Sequence, residues 1–468
     1  MPAAGSADLP EGAARGGPDV RTTAGAAAGA PPAHPGPGPD PAGQRRRRPS
    51  TSRQVGFVLA TYAFVVTMLG TTLPTPIYPL YRERFGFSQL MVTVVFATYA
   101  VGVITALLLF GRLSDQVGRR RALLPGLLAS AASAAVFLLA DNVGVLLVGR
   151  VLSGLSAGVF TGTATATILD LAPPHRRGRA TLVATVANMG GLGCGPLLTG
   201  LLSQYAPNPL RLTFVVDLAL LVPAAIGVWL MPETVEVTGP ARLRPQRPRV
   251  PPSARSVFVG AAMAAFAGFA VLGLYTAVAP AFLGAVLDPP NRAVTGLVVF
   301  AVFAASAAGQ ASLDVVTRRL AAPGRPPERI GLTVGCAGLV LGMGVLALGL
   351  ATSSVAGLVV GGVISGASQG IGFRAGLAAV NGASPADRRA EAASAFFVVA
   401  YVAISVPVVG VGLLVELTSL TTAGLVFAAI VAALAVVVLA LLHAGAGTGA
   451  RAGGGEPVGV SGGGSATD

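Results

Sequence analysis

The sequence predicts an all-α membrane protein of twelve transmembrane helices arranged as two six-helix halves. Three observations predict it. Of 468 residues, 53% are hydrophobic and only 11% charged, against about 25% charged in a typical soluble domain. Uncharged stretches long enough to cross a bilayer recur along the chain, and arginine-rich segments fall in alternate gaps between them.

Residues 1–53 are rich in Pro, Gly and Ala and contain no apolar run. Such a segment buries too little surface to offset its ordering entropy, so it reads as a disordered N-terminal tail. It ends in Arg45–Arg48, where a cationic cluster anchors the topology of the first span. The stretches that follow are Gln54–Tyr81, Leu90–Phe110, Ala122–Ala140, Val151–Leu169, Ala180–Leu210 and, after a single Asp217, Leu218–Pro232. A polar, Pro/Arg-rich linker, 233–255, comes next. Then come Ser256–Leu287, Ala293–Leu313, Ile330–Phe373, Ala392–Val415 and Leu417–Ala450. A helix needs about 20 apolar residues to cross the hydrocarbon core, so Ile330–Phe373 holds two crossings with a turn near Ala351–Ser354. The runs are too long and continuous for barrel strands, and lipid admits no other backbone than helix or closed barrel. The halves are therefore 54–232 and 256–445, and 446–468 form a second, Gly-rich flexible tail.

Loop charge tests the span count. There is no lysine; the basic residues are arginine. One set of alternate gaps carries Arg45–Arg48 and Arg53; Arg112 and Arg119–Arg121; Arg176, Arg177 and Arg179; Arg242–Arg255; Arg318–Arg329; and Arg388 with Arg389. The other set carries Arg82, Arg84, Arg211 and Arg292. The positive-inside rule then puts both termini in the cytoplasm and the protein in the cell membrane. One extra or missing span would break the alternation. It also explains the net charge of +13 better than nucleic-acid binding does.

The chain repeats itself. Val148–Val159 matches Val360–Ile371, Pro174–Arg177 echoes Pro385–Arg388, and Asp115 with Arg119-Arg120 recurs as Asp314 with Arg318-Arg319. Span four thus corresponds to span ten. Paired repeats around a midplane site are the architecture of alternating-access carriers.

Three motifs sit on this frame. Gly111-Arg112-Leu113-Ser114-Asp115-Gln116-Val117-Gly118-Arg119-Arg120 fills the loop between spans two and three. It resembles the signature loop of the major facilitator superfamily, with Gln116 where many relatives have a basic residue. Gly111 and Gly118 allow tight turns, Asp115 is expected to neutralise a neighbouring helix N-terminus, and Arg119 and Arg120 to bridge carboxylates. The resemblance implies a latch on one face of the bundle. In span four, Arg150, Gly154, Gly158, Thr161 and Thr165 share one stripe; the stripe resembles a superfamily motif whose arginine is implicated in proton coupling in related antiporters. In span five, Gly191, Gly195, Pro196 and Gly200 resemble the motif of the twelve-span drug/proton antiporters, with Thr199 in place of a glycine. The Gly/Pro cluster would bend the helix at a moving interface. Met231-Pro232-Glu233-Thr234 at the end of span six also looks family-like. The resemblance covers about residues 54–443, and in the second half the loop has lost its glycines.

Ionisable residues inside spans are few, and such residues are functional candidates by default. They are Arg150, Asp217 and Arg374, with Glu416 at the outer end of span eleven; Asp170 and Asp314 lie at inner helix ends beside arginines. Asp217 is the candidate proton carrier and Arg374 a candidate anion contact. The resemblance implies that spans one, four, seven and ten line the cavity, through Thr71, Thr72, Tyr78, Arg150, Thr161, Tyr275, Thr276, Gln369 and Arg374. A largely apolar cavity with scattered hydroxyls suits a small lipophilic molecule better than a sugar. The sequence holds no cofactor motif, and His34, His175 and His443 are too scattered for a metal site. No span carries the His/Asp/Glu cluster or Ser–His pair that an enzyme would need. The expectation is a monomeric, proton-coupled exporter in a lipid bilayer, with an uptake permease or uncoupled facilitator of the same fold as the alternative.

Overall fold

Small polar residues set where the spans begin. Ser52, Ser88, Asn142, Asn291 and Ser354 each stand just before a helix and accept a hydrogen bond from the backbone N–H three residues on. That is the N-cap geometry, which satisfies one of the donors a helix start leaves open. The computed structural model describes residues 52–111, 113–235, 248–286, 290–321, 323 and 325–452. Most of the expected N-terminal tail, Arg45–Arg48, Arg112, the middle of the linker and residues 453–468 lie outside those residues.

Among the described residues, twelve helices are long and apolar enough to cross a membrane. The first half contains α1 (Arg53–Thr72), α2 (Tyr78–Phe85), α3 (Gln89–Phe110), α4 (Leu113–Val117), α5 (Arg119–Leu138), α6 (Val143–Leu171), α7 (Arg177–Tyr205) and α8 (Pro209–Leu230). The second contains α9 (Arg255–Ala277), α10 (Ala279–Val286), α11 (Arg292–Arg319), α12 (Pro327–Ala351), α13 (Val355–Ala383), α14 (Arg389–Leu417) and α15 (Leu420–Ala452). The first span of each half is broken. α1 gives way to a 3₁₀ turn at Thr75–Ile77 before α2, where Pro74 and Pro76 lack the N–H an α-helix requires; α9 gives way to α10 at Val278. The short α4 is the motif loop. The turn expected in the Ile330–Phe373 stretch is present between α12 and α13, with Ser353 at φ 53°. α15 runs on to Ala452, past the boundary at 445 expected for the tail.

Large apolar side chains such as Leu128, Leu139, Leu341 and Ile430 face outward. In water so much apolar surface would be unstable; against acyl chains it is the expected coat. Two helix pairs make the main contacts between halves, α7 with α11 and α3 with α14. On the first pair backbone meets backbone: a Cβ at Gly200 would stand 2.6 Å from the Arg292 carbonyl oxygen and 3.0 Å from the Gly296 Cα. Only glycine permits that approach, as in other membrane helix pairs.

Candidate functional site

The motif loop builds one end of the bundle. Gly118 has φ 97°, a conformation that favours glycine, and the turn aims the N-terminus of α5 at the segment after α8. There the Glu233 carboxylate accepts from the backbone N–H of Arg119 (2.7 Å) and of Arg120 (3.1 Å). The helix-capping role expected of Asp115 therefore belongs to Glu233. Asp115 instead pairs with the Arg119 side chain at 2.5 Å, one turn along. Arg119 also reaches Asp170 at the end of α6, 3.0 Å away, and donates to Ser114 at 2.8 Å. Thr234 donates to the same Asp170 carboxylate. One guanidinium thus ties the loop to α6, and one carboxylate ties the end of α8 to α5. In the second half Asp314 pairs with Arg374 across α11 and α13 (2.9 Å).

Behind this end a cavity of about 480 Å³ opens between the halves. Its wall comes from α1, α3, α6 and α7 on one side and α9, α11, α13 and α14 on the other. It reaches Gly111, Thr181 and Ala390 at the motif end and stops at Thr72, Arg150 and Thr276 toward the opposite end. The opposite end is tied shut by two caps that cross between the halves. Glu416 on α14 accepts from the backbone N–H of Leu90 at the start of α3 (3.1 Å). Gln204 on α7 accepts from the backbone N–H of Arg292 at the start of α11 (2.9 Å). The spacing from Gln204 to Glu416 is the spacing from Val148 to Val360, so the two caps are the same position in each half.

Arg150 lies deep in the cavity and is only 2% exposed. Its guanidinium donates to the carbonyls of Thr71 (2.6 Å) and Phe96 (3.3 Å). It stacks 4.8 Å over the Tyr99 ring, while its Nε has no partner. Beside it the Tyr99 and Tyr401 rings meet edge to face at 6.2 Å, while the Thr71 and Thr161 hydroxyls donate to the carbonyls of Met68 (2.7 Å) and Ala157 (2.8 Å) in their own helices. The tyrosine contact joins the first half to the second. Neither tyrosine is singled out by the sequence; each is a lone aromatic in an apolar span, and only the fold makes them neighbours.

The other expected residues divide. Thr71, Thr72, Arg150, Thr161, Thr276 and Arg374 line the cavity. Tyr78, Tyr275, Gln369 and Asp217 are buried off its wall. Tyr275 donates to the Leu358 carbonyl at 2.7 Å, and the Gln369 Oε1 accepts from Ser306 at 2.6 Å while its Nε2 is buried without a partner. The Tyr78 hydroxyl is buried without a partner. Asp217, 2% exposed, packs against Gly70 of α1, and its Oδ1 is without a partner. No ion pair joins it to Arg150 or Arg211 among the described residues. In α7, Gly191 and Gly195 pack on α1, while Pro196 and Gly200 pack on α11, so the span-five motif sits where two helices of different halves press on α7.

A family model described as Major Facilitator Superfamily matches residues 60–349. The chain belongs to the major facilitator superfamily. Among curated relatives, the quinolone resistance protein NorA of Staphylococcus aureus is 26% identical over 150 residues, 32% of this chain and 38% of that one. The uncharacterized MFS-type transporter YhjO of Bacillus subtilis is 27% identical over 201 residues, 43% of this chain and 47% of that one. The matched segments thus span less than half the length of either relative. Two solved superfamily structures share the fold. A bacterial homologue of the human lysosomal transporter Spinster, inward-facing and unoccupied, aligns with TM-score 0.62 at 15% identity, covering 85% of this chain and 98% of that one. The xylose transporter XylE from E. coli, partially occluded and inward open, aligns with TM-score 0.64 at 13% identity, covering 83% and 97%. The chain is a multi-pass membrane protein of this superfamily.

Proposed function

We propose that this transporter exports a small lipophilic organic molecule, a drug or secondary metabolite, in exchange for protons by alternating access. The observation that carries the reading is the position of α1 between two ionisable groups. Gly70 touches Asp217 on one side, and the next residue, Thr71, holds Arg150 through its carbonyl on the other. An ionised carboxylate buried without a partner costs several kcal/mol. Loading or unloading a proton at Asp217 therefore changes how firmly α8 holds α1, and α1 carries part of the cavity wall. The cavity itself suits the cargo: its volume falls in the range of small-molecule sites, and its wall mixes apolar and aromatic side chains with eleven hydroxyl-bearing residues. The partial match to a quinolone resistance protein and the span-five motif favour export over uptake.

In this reading the motif end, both termini and the open mouth face the cytoplasm of a cell membrane. The protein works as a monomer of two halves, 54–232 and 256–445, joined by a linker over 233–255. A growth-inhibition screen in an efflux-deficient host tests the direction of transport. Expression should raise the tolerated concentration of at least one lipophilic compound. Unchanged tolerance across the panel, together with increased uptake of a nutrient, would favour the permease.

A further inference from the structure

A positive charge buried in the membrane is expensive unless something balances it. Arg374 is balanced, since Asp314 pairs with it. Arg150 is not: its partners are two neutral carbonyls and two aromatic rings, and its Nε–H has none. Among the described residues lining the cavity there is no Asp or Glu. Asp217 lies at Gly70, off the wall. The empty cavity is therefore electropositive at its closed end, and nothing in its wall would balance a cationic ligand. Beside the guanidinium stand Tyr99, over whose ring it lies, and Tyr401, packed on that ring, both on the cavity wall. Hydroxyls rotate and can turn to donate to an anion. Toward the mouth the wall is aromatic, with Phe269, Phe303, Phe373 and Phe397.

We propose that the cargo is an organic monoanion, a flat aromatic body bearing one carboxylate, held by the Tyr99 and Tyr401 hydroxyls with Arg150 as its counter-charge. This rests on reading the cavity as the substrate site, and it narrows the lipophilic class to weak acids.

The test is equilibrium binding of radiolabelled 2-naphthoate to the full chain in nanodiscs of zwitterionic lipid. Its neutral and cationic counterparts, 2-naphthamide and (2-naphthylmethyl)trimethylammonium, are the competitors. Naphthoate should bind saturably, the amide about tenfold or more weaker, and the ammonium compound should not compete. Arg150→Gln should abolish the preference for acid over amide, Arg150→Lys should keep most of it, and Arg374→Gln should leave it in place. Tyr99→Glu, which sets a carboxylate against the Arg150 guanidinium, should remove the preference for acid over amide; this variant decides the question if Arg150→Gln does not fold. No saturable naphthoate binding, equal binding of acid and amide, or an unchanged preference in folded Arg150→Gln or in Tyr99→Glu would overturn the proposal. Binding and transport of the amide or the ammonium compound alone would sink the anion and leave the export reading standing. A host screen negative for every compound would sink the export reading instead.

Discussion

The Thr72 hydroxyl donates to the Leu192 carbonyl across the α1–α7 contact, at 2.8 Å. Leu192 is the residue four before Pro196, so this carbonyl is the one a proline leaves without its helical donor. The bend in span five is thus completed from span one. Thr72→Val should strand a buried carbonyl and cost about 1–3 kcal/mol. Pro196→Ala supplies an N–H in its place, so the double variant should recover about 1 kcal/mol relative to Thr72→Val, a coupling expected of groups in direct contact. Thermal unfolding of the four proteins in one detergent measures the cycle. Strict additivity would show that Thr72 and Pro196 act separately.

Glu233 should behave as a helix cap and Asp115 should not. Glu233→Ala removes the acceptor for two N–H groups at the start of α5 and should cost about 1 kcal/mol. Glu233→Gln should cost less, keeping one acceptor but losing the charge that favours a helix N-terminus. Asp115→Asn should affect unfolding only slightly, because the exposed ion pair it makes with Arg119 contributes little. Denaturation curves of the three variants order them.

The paired caps Glu416 and Gln204 hold the end opposite the motif closed. Removing both, as Glu416→Ala with Gln204→Ala, should raise the population open at that end. Thr93, which faces Gly412 across the α3–α14 seam, reports it. A cysteine at that position, in a background lacking Cys194 and Cys336, should label several-fold faster with a membrane-impermeant maleimide when both caps are gone. Either single variant should give an intermediate rate, and equal rates in all four would remove the caps from the gate.

The span count, the repeat and the motif loop are legible in the sequence because each is a one-dimensional pattern. Hydrophobic length marks a crossing, arginine placement marks a side, and spacing marks a repeat. The site is legible only in part. Thr71, Arg150 and Arg374 follow from polarity within apolar spans. Tyr275 and Gln369 satisfy the same criterion, yet both are buried in helix packing off the cavity wall, bonded to Leu358 and, through Oε1, to Ser306. Polarity alone does not say which face of a helix turns inward. Tyr99 and Tyr401 are hidden for the opposite reason, since their relation exists only where α3 crosses α14. Glu233 shows a third case: its motif is visible, but its partner is a loop more than a hundred residues earlier.

Asp217 carries the central claim. In proteoliposomes loaded with a pH-sensitive dye, an imposed pH gradient should drive transport of a compound found in the host screen, with protons moving the opposite way. Asp217→Asn should still exchange labelled for unlabelled compound but should lose both the response to the gradient and the proton movement. If Asp217→Asn is driven by the gradient as well as the unaltered protein, this carboxylate carries no proton in the cycle and the account fails.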